Sequence, residues 1–178
     1  MEPILHDAIA VIGHPQHGKS TFGRMLADLS GEAHGATSAV ILGFLSDVDG
    51  IEYGTDWHAT VPPAEQEAFR RRLVRTGDAL CNIRQHLLSE TLYTNGCRII
   101  DGIRRKLEHL AMSAHMASMG RKLITVWVDR PDEPVIVDNT SVTKDDADWI
   151  VTNRTLMNLE EQARQLLIDI NWPMIKNT

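Results

Sequence analysis

Eight residues constrain this chain more than any others. Gly13-His14-Pro15-Gln16-His17-Gly18-Lys19-Ser20 has the form G-x-x-x-x-G-K-[ST], and Thr21 follows it. The apolar run Ala8-Ile9-Ala10-Val11-Ile12 precedes it and reads as a buried strand. Thr21 to Leu29 follows and reads as a helix with Phe22, Met25, Leu26 and Leu29 on one face. A strand, a glycine-bounded loop and a helix are the parts of a phosphate-binding loop. Glycine lets successive N–H groups turn inward toward phosphate oxygens. The helix N-terminus adds unpaired N–H groups and the positive end of its dipole. The whole run Gly13 to Thr21 is therefore assigned to ATP binding: Lys19 reaches the β- and γ-phosphates, and the Ser20 hydroxyl ligates Mg²⁺. His14 and His17 read as loop members rather than catalysts.

A chain of 178 residues suits one domain with a full core. A net charge of −6 argues against a broad nucleic-acid surface but leaves room for a local basic cleft. Cys81 and Cys97 have neither metal spacing nor a disulfide framework, so a reducing cytoplasm is expected. The first residues, Met1 to Asp7, do not read as a signal peptide, and no apolar run approaches membrane-spanning length.

Along the chain, Ser30-Gly31-Glu32 ends the first helix, and Thr37 to Leu45 reads as a second strand or a short helix. Asp47 to Pro63 reads as an irregular, acceptor-side excursion. Pro62-Pro63 and the acids after it start a helix through Arg75, interrupted at Gly77-Asp78; a second runs from Ala79 to Tyr93 with Leu80, Ile83, Leu87 and Leu88 together. Asn95-Gly96 is a turn, and Cys97 to Gly102 reads as a buried strand. Arg104 to Met119 reads as a helix with Leu107, Leu110 and Ala111 as one face. Leu123 to Val128 is a strand ending at Asp129-Arg130, Pro131 to Thr143 a loop, Asp148 to Asn153 a last strand, and Leu156 to Ile170 the closing helix. Alternating strands and helices imply a three-layer α/β/α sandwich around a parallel, doubly wound sheet. The expected organisation is one domain over 1–178, with the excursion around 46–95 and a short lid loop around 130–143.

Ligands in such folds bind at the carboxyl ends of the strands. Asp101, at one such end, can hold the Mg²⁺ shell or orient an acceptor. Arg104 and Arg105 offer planar forks for phosphate oxygens. Cations at a helix N-terminus oppose its dipole, so a purely structural reason for them is weak.

These places carry a family resemblance. The chain resembles nucleoside monophosphate kinases of the adenylate-kinase-like group, and most of all the phage deoxynucleoside monophosphate kinases. The loop Gly13 to Thr21 is common to phosphate-loop proteins at large. Asp101-Gly102-Ile103-Arg104-Arg105 is similar to the family's D-G-x-x-R, whose arginine contacts acceptor-side phosphate. Asp146 to Asn153, followed by Leu156 and Leu159-Glu160, looks like the family's last strand and helix. Family members carry an arginine-rich lid; here Pro131 to Asp138 is short and acidic, with Arg130 at its edge. The resemblance implies an ATP-dependent kinase acting on a (deoxy)nucleoside monophosphate. A related group of phage kinases phosphorylates the hydroxymethyl group of a modified uracil within DNA, and the reduced lid suits that alternative acceptor. A regulatory ATPase without transfer is the rival from another class.

Lys19, Asp101, Arg104, Arg105 and Arg130 are the candidate catalytic residues, and Ser20 and Asp101 the metal-holding ones. Ser38, Arg71, Arg75 and Arg105 are candidates for the acceptor. Arg71 and Arg75 share a helix face, with Arg70 and Arg72 beside them. Asp47, Asp49 and Asp56 read as ordinary loop acids, Tyr53 and Trp57 as packing residues, and Trp127 and Trp149 as core. Met112, Met116 and Met119 are spaced like a packed helix face, and His86, His109 and His115 show no ligand pattern.

Overall fold

The structure is a computed structural model that describes residues 7–132 and 141–175. Five strands, β1 (Ala8–Ile12), β2 (Ala33–Ala36), β3 (Cys97–Asp101), β4 (Leu123–Asp129) and β5 (Trp149–Thr152), form one sheet in the order β2-β3-β1-β4-β5. Every pairing is parallel. The helices are α1 (Lys19–Ser30), α2 (Thr37–Asp49), α3 (Gln66–Ile83), α4 (Leu87–Thr94), α5 (Lys106–Ser118) and α6 (Leu156–Asp169). The fold is thus the three-layer, doubly wound arrangement that the alternation of elements implies.

The central strand explains the layering. All five residues of β1 are buried, as a strand covered on both faces requires. Ile9 and Val11 face the cluster built with Phe22 and Leu26 of α1 and Leu159, Ala163 and Leu166 of α6. Ala8, Ala10 and Ile12 face the opposite cluster, with Leu92 of α4 and Met112 and Met116 of α5. Full burial of such a leucine or phenylalanine contributes about 1.5–3 kcal/mol. A third cluster, Leu42, Leu45, Trp57, Val61 and Phe69, joins α2, α3 and the segment between them.

Several local expectations change. Thr37–Asp49 is a helix, which also absorbs the start of the segment read as irregular from Asp47. Gly77 does not interrupt α3; it is buried where the helix passes Ile41, and the next helix begins only at Leu87, leaving Ile83 78% exposed. Short β2, with its Ala-His-Gly-Ala sequence, carried no apolar signal. In α5 the inward residues are Glu108, His109, Met112 and Met116, while Leu107 and Leu110 face outward. Met119, just past the end of α5, is also exposed, and so is Trp149, because β5 is an edge strand. The lid-loop expectation falls mostly on residues 133–140, outside the described residues. No helix among the described residues is long and apolar enough to cross a membrane.

Candidate active site

The loop after β1 takes the shape that its glycines permit. Gly13 and Gly18 both have positive φ, 146° and 91°, and Gly18 is the N-cap of α1. No side chain caps α1 and no acid sits in its first turn, so its leading N–H groups have no side-chain acceptor. That is the environment a phosphate chain fits. Lys19 Nζ donates to the His14 carbonyl at 2.7 Å, which draws the ammonium back across the loop. Burial lowers the Lys19 pKa, while the nearby Asp101 carboxylate works against that shift.

Asp101 closes β3 beside Val11 of β1 and Ala36 of β2, and it is only 4% exposed. A buried carboxylate needs a partner. His34 of β2 supplies one, with Nε2 2.9 Å from Asp101 Oδ2. The ring of His34 rests against Gly23 of α1, where a Cβ would come within 2.7 Å of it. Sequence reasoning missed His34, because its strand has no hydrophobic pattern.

His17 is fully buried and serves the loop's architecture. Its Nδ1 accepts from the Arg130 main-chain N–H at 3.1 Å, and its carbonyl accepts from Asn153 Nδ2 at 2.9 Å. His17 therefore ties the loop to the ends of β4 and β5. Pro15 and Gln16 form the exposed crest, with Gln16 at φ 65°. Ser20 and Thr21 lie in the first turn of α1. Asp129, at the end of β4, accepts from Lys144 Nζ at 2.9 Å, and that ammonium holds its carboxyl below the usual range.

Beside Asp101 opens a cavity of about 250 Å³. Thr37 and Ser38 place the N-terminus of α2 at its edge, and Thr37 Oγ1 donates to the Gly102 carbonyl at 2.9 Å. Ile41, Leu73, Val74 and Leu88 form apolar walls. Arg70, Arg104 and Arg105 supply the cations. Asp78 orients two of them, pairing with Arg105 and standing 3.3 Å from Arg104. Glu108 lines the same cavity, 3% exposed, and its Oε1 has no hydrogen-bond partner. Burial pushes its carboxyl up to about 7, against the pull of the Arg104 backbone and the Arg105 and Arg104 side chains.

The structure thus brings Lys19 near Asp101, with Ser20 next to Lys19 in the first turn of α1, and sets Ser38, Arg104 and Arg105 around the cavity. Arg71 and Arg75 stand apart from that cavity, on an exposed flank of α3 where Arg71 pairs with Glu67. Arg70, one position earlier, lines both that flank and the cavity. Arg72 is occupied by Asp49, at 2.5 and 2.7 Å. Tyr53 and Trp57 pack on Phe69 and are not free to stack on a base. Arg130 follows β4, with its main chain on His17. Arg70 belonged to the arginine cluster visible in the sequence, whereas Glu108, Asp78 and Asn153 had no sequence signal, since each depends on contacts remote along the chain.

No family model matches the chain, and no curated protein does. Solved structures do resemble it in fold. An APS kinase of Mycobacterium tuberculosis, in complex with AMPPNP and APS, superposes with a TM-score of 0.52 at 15% identity, covering 93% of this chain and 98% of its own. A candidate kinase from Chloroflexus aurantiacus gives a TM-score of 0.52 at 14% identity, covering 92% and 97%. Both structures share the three-layer α/β/α fold of this chain.

Proposed function

We propose that this chain is an ATP-dependent phosphotransferase whose acceptor is a (deoxy)nucleoside monophosphate. One observation carries the reading: Asp101 acts on Lys19 of the glycine-bounded loop, and the next residue, Gly102, lines a cation-rimmed cavity. The cavity's apolar walls suit the faces of a base. Arg104, Arg105, Arg70 and the N-terminus of α2 suit a phosphate dianion. Glu108 supplies a polar group on the same wall for a base edge or a sugar hydroxyl. The APS kinase of like fold, seen with AMPPNP and APS, is consistent with a nucleotide-type acceptor.

The residues divide the work. ATP supplies the transferable phosphoryl group when bound, and Mg²⁺ offsets its charge. The α1 N-terminus and the loop amides hold the phosphate chain, and Lys19 moves from the His14 carbonyl to the phosphate oxygens. Ser20 and Asp101 would hold the Mg²⁺ shell, and His34 fixes the Asp101 carboxylate. Arg104 and Arg105 align the acceptor and offset developing charge. Such transfer is mainly positioning and electrostatics, which these groups provide.

Binding tests the reading separately from catalysis. With AMPPNP and Mg²⁺ present, one or more deoxynucleoside monophosphates should bind the wild type and lose about tenfold or more in affinity in Arg105→Gln, the loss of a charge-assisted contact. Equal affinity in both proteins would remove the acceptor from this cavity.

A further inference from the structure

A second cluster of chemistry lies on α4 and α5, on residues the phosphate loop and Asp101 do not use. His86 is the N-cap of α4, Glu90 lies one turn later, and His115 comes from the last turn of α5. Their donor atoms all lie within 4.8 Å of one another. His86 Nε2 is 3.3 Å from Glu90 Oε2, and His115 Nε2 is 3.9 Å from Glu90 Oε1. The two imidazole rings stack with centroids 4.9 Å apart and planes inclined by 25°. Three ligands each about 2.0–2.2 Å from a common tetrahedral ion must themselves stand roughly 3–4 Å apart, so little movement separates this arrangement from a coordination shell.

Glu90 provides the second, independent observation. Its Oε2 is buried and makes no aligned hydrogen bond, although the Arg84 guanidinium stands 2.9 Å away. A buried carboxylate oxygen without an aligned donor is unsatisfied in a way that a ligand corrects. All three residues are half-buried, so an ion has a route in from solvent.

We propose that His86, Glu90 and His115 form a site for a divalent transition metal of the zinc class, which clamps α4 to α5. Two imidazoles and one carboxylate are the donor set of borderline ions; magnesium prefers an all-oxygen shell. A water fills the fourth position of a tetrahedral ion. Leu88 of α4 and Glu108 of α5 both line the cavity described above, so the clamp fixes two of its walls relative to one another. Arg84 pairs with the same carboxylate, and it competes with the metal for Glu90.

The test uses the full chain stripped with chelator and titrated with zinc chloride in excess Mg²⁺, with and without a competing chelator of known affinity. The wild type should bind one zinc ion, and its melting temperature should rise with zinc concentration. Glu90→Gln and His115→Asn, which each remove a direct ligand, should each weaken binding by at least the roughly 10–100-fold that loss of an outer-shell partner costs. Both keep a near-isosteric side chain, so their metal-free melting checks that the fold is intact. Arg84→Gln should tighten binding. Zinc binding that is absent in the wild type, or unchanged in both Glu90→Gln and His115→Asn, would overturn the proposal.

Discussion

Asn153 Nδ2 donates to the His17 carbonyl at 2.9 Å across 136 residues of sequence, so the end of β5 holds the phosphate loop in shape. The contact also explains Gly18: a Cβ there would run into the Asn153 amide. The main chain of Asn153 is anchored in turn, its N–H donating to the Asp129 carbonyl at 2.7 Å.

Asn153→Ala removes that brace and leaves the His17 carbonyl unmatched. Chemical denaturation should register a loss of about 1–2 kcal/mol. The Kd for ATP should rise several-fold while circular dichroism stays native. An unchanged ATP affinity would mean that the loop keeps its shape without β5.

Lys19→Ala should lower kcat/KM by about 10²–10³-fold or more, the scale for removing one preorganised charge from a transition state. Its stability should change little, because the Lys19 ammonium donates to a main-chain carbonyl, that of His14, and its burial already disfavours the charge. Full activity in this variant would sink the phosphotransfer assignment.

His34 is a positioning residue, acting through Asp101. His34→Ala should raise the Mg²⁺ concentration needed for half-maximal rate, and excess Mg²⁺ should restore part of the activity; His34→Gln, which keeps a donor, should recover more. A purely structural role would lower stability without moving the Mg²⁺ dependence.

Glu108 makes stability depend on pH. Its folded pKa of about 7 lies above the ordinary 4.5, so between those values the folded state binds more protons than the unfolded. Stability therefore falls as pH rises from about 4.5 to about 7, and the full contribution is present only below that window. Glu108→Gln abolishes this slope. The difference in unfolding free energy between variant and wild type should swing toward the variant by roughly 2–3 kcal/mol from pH 5 to pH 8. A constant difference would mean that Glu108 ionises normally.

The parts of the site that lie within one contiguous segment were legible in the sequence. Gly13 to Ser20 announces its own geometry, because glycine position and a following helix determine where the amides point. Asp101 was legible as an acid at the end of an apolar strand. The residues that support these were not: His34 sits in a strand without apolar pattern, and Asn153 and Asp78 matter through contacts remote in sequence. Periodicity also misassigned the faces of α5, where inward Glu108 and His109 displace Leu107 and Leu110. His109 is tolerated there because its Nε2 pairs with Thr125 Oγ1 at 2.8 Å. Gly77 looked like a helix break, yet lack of a side chain is what lets α3 pass Ile41 of α2.

The most direct measurement is transfer of label from γ-labelled ATP. The acceptors are the four deoxynucleoside monophosphates, hydroxymethyl-deoxyuridine monophosphate, and duplex DNA with and without hydroxymethyluracil, each with wild type and Lys19→Ala. The account predicts label on one or more free monophosphates, unaffected by added DNA and lost in the variant. Label on modified DNA alone, or only as free phosphate, would contradict it.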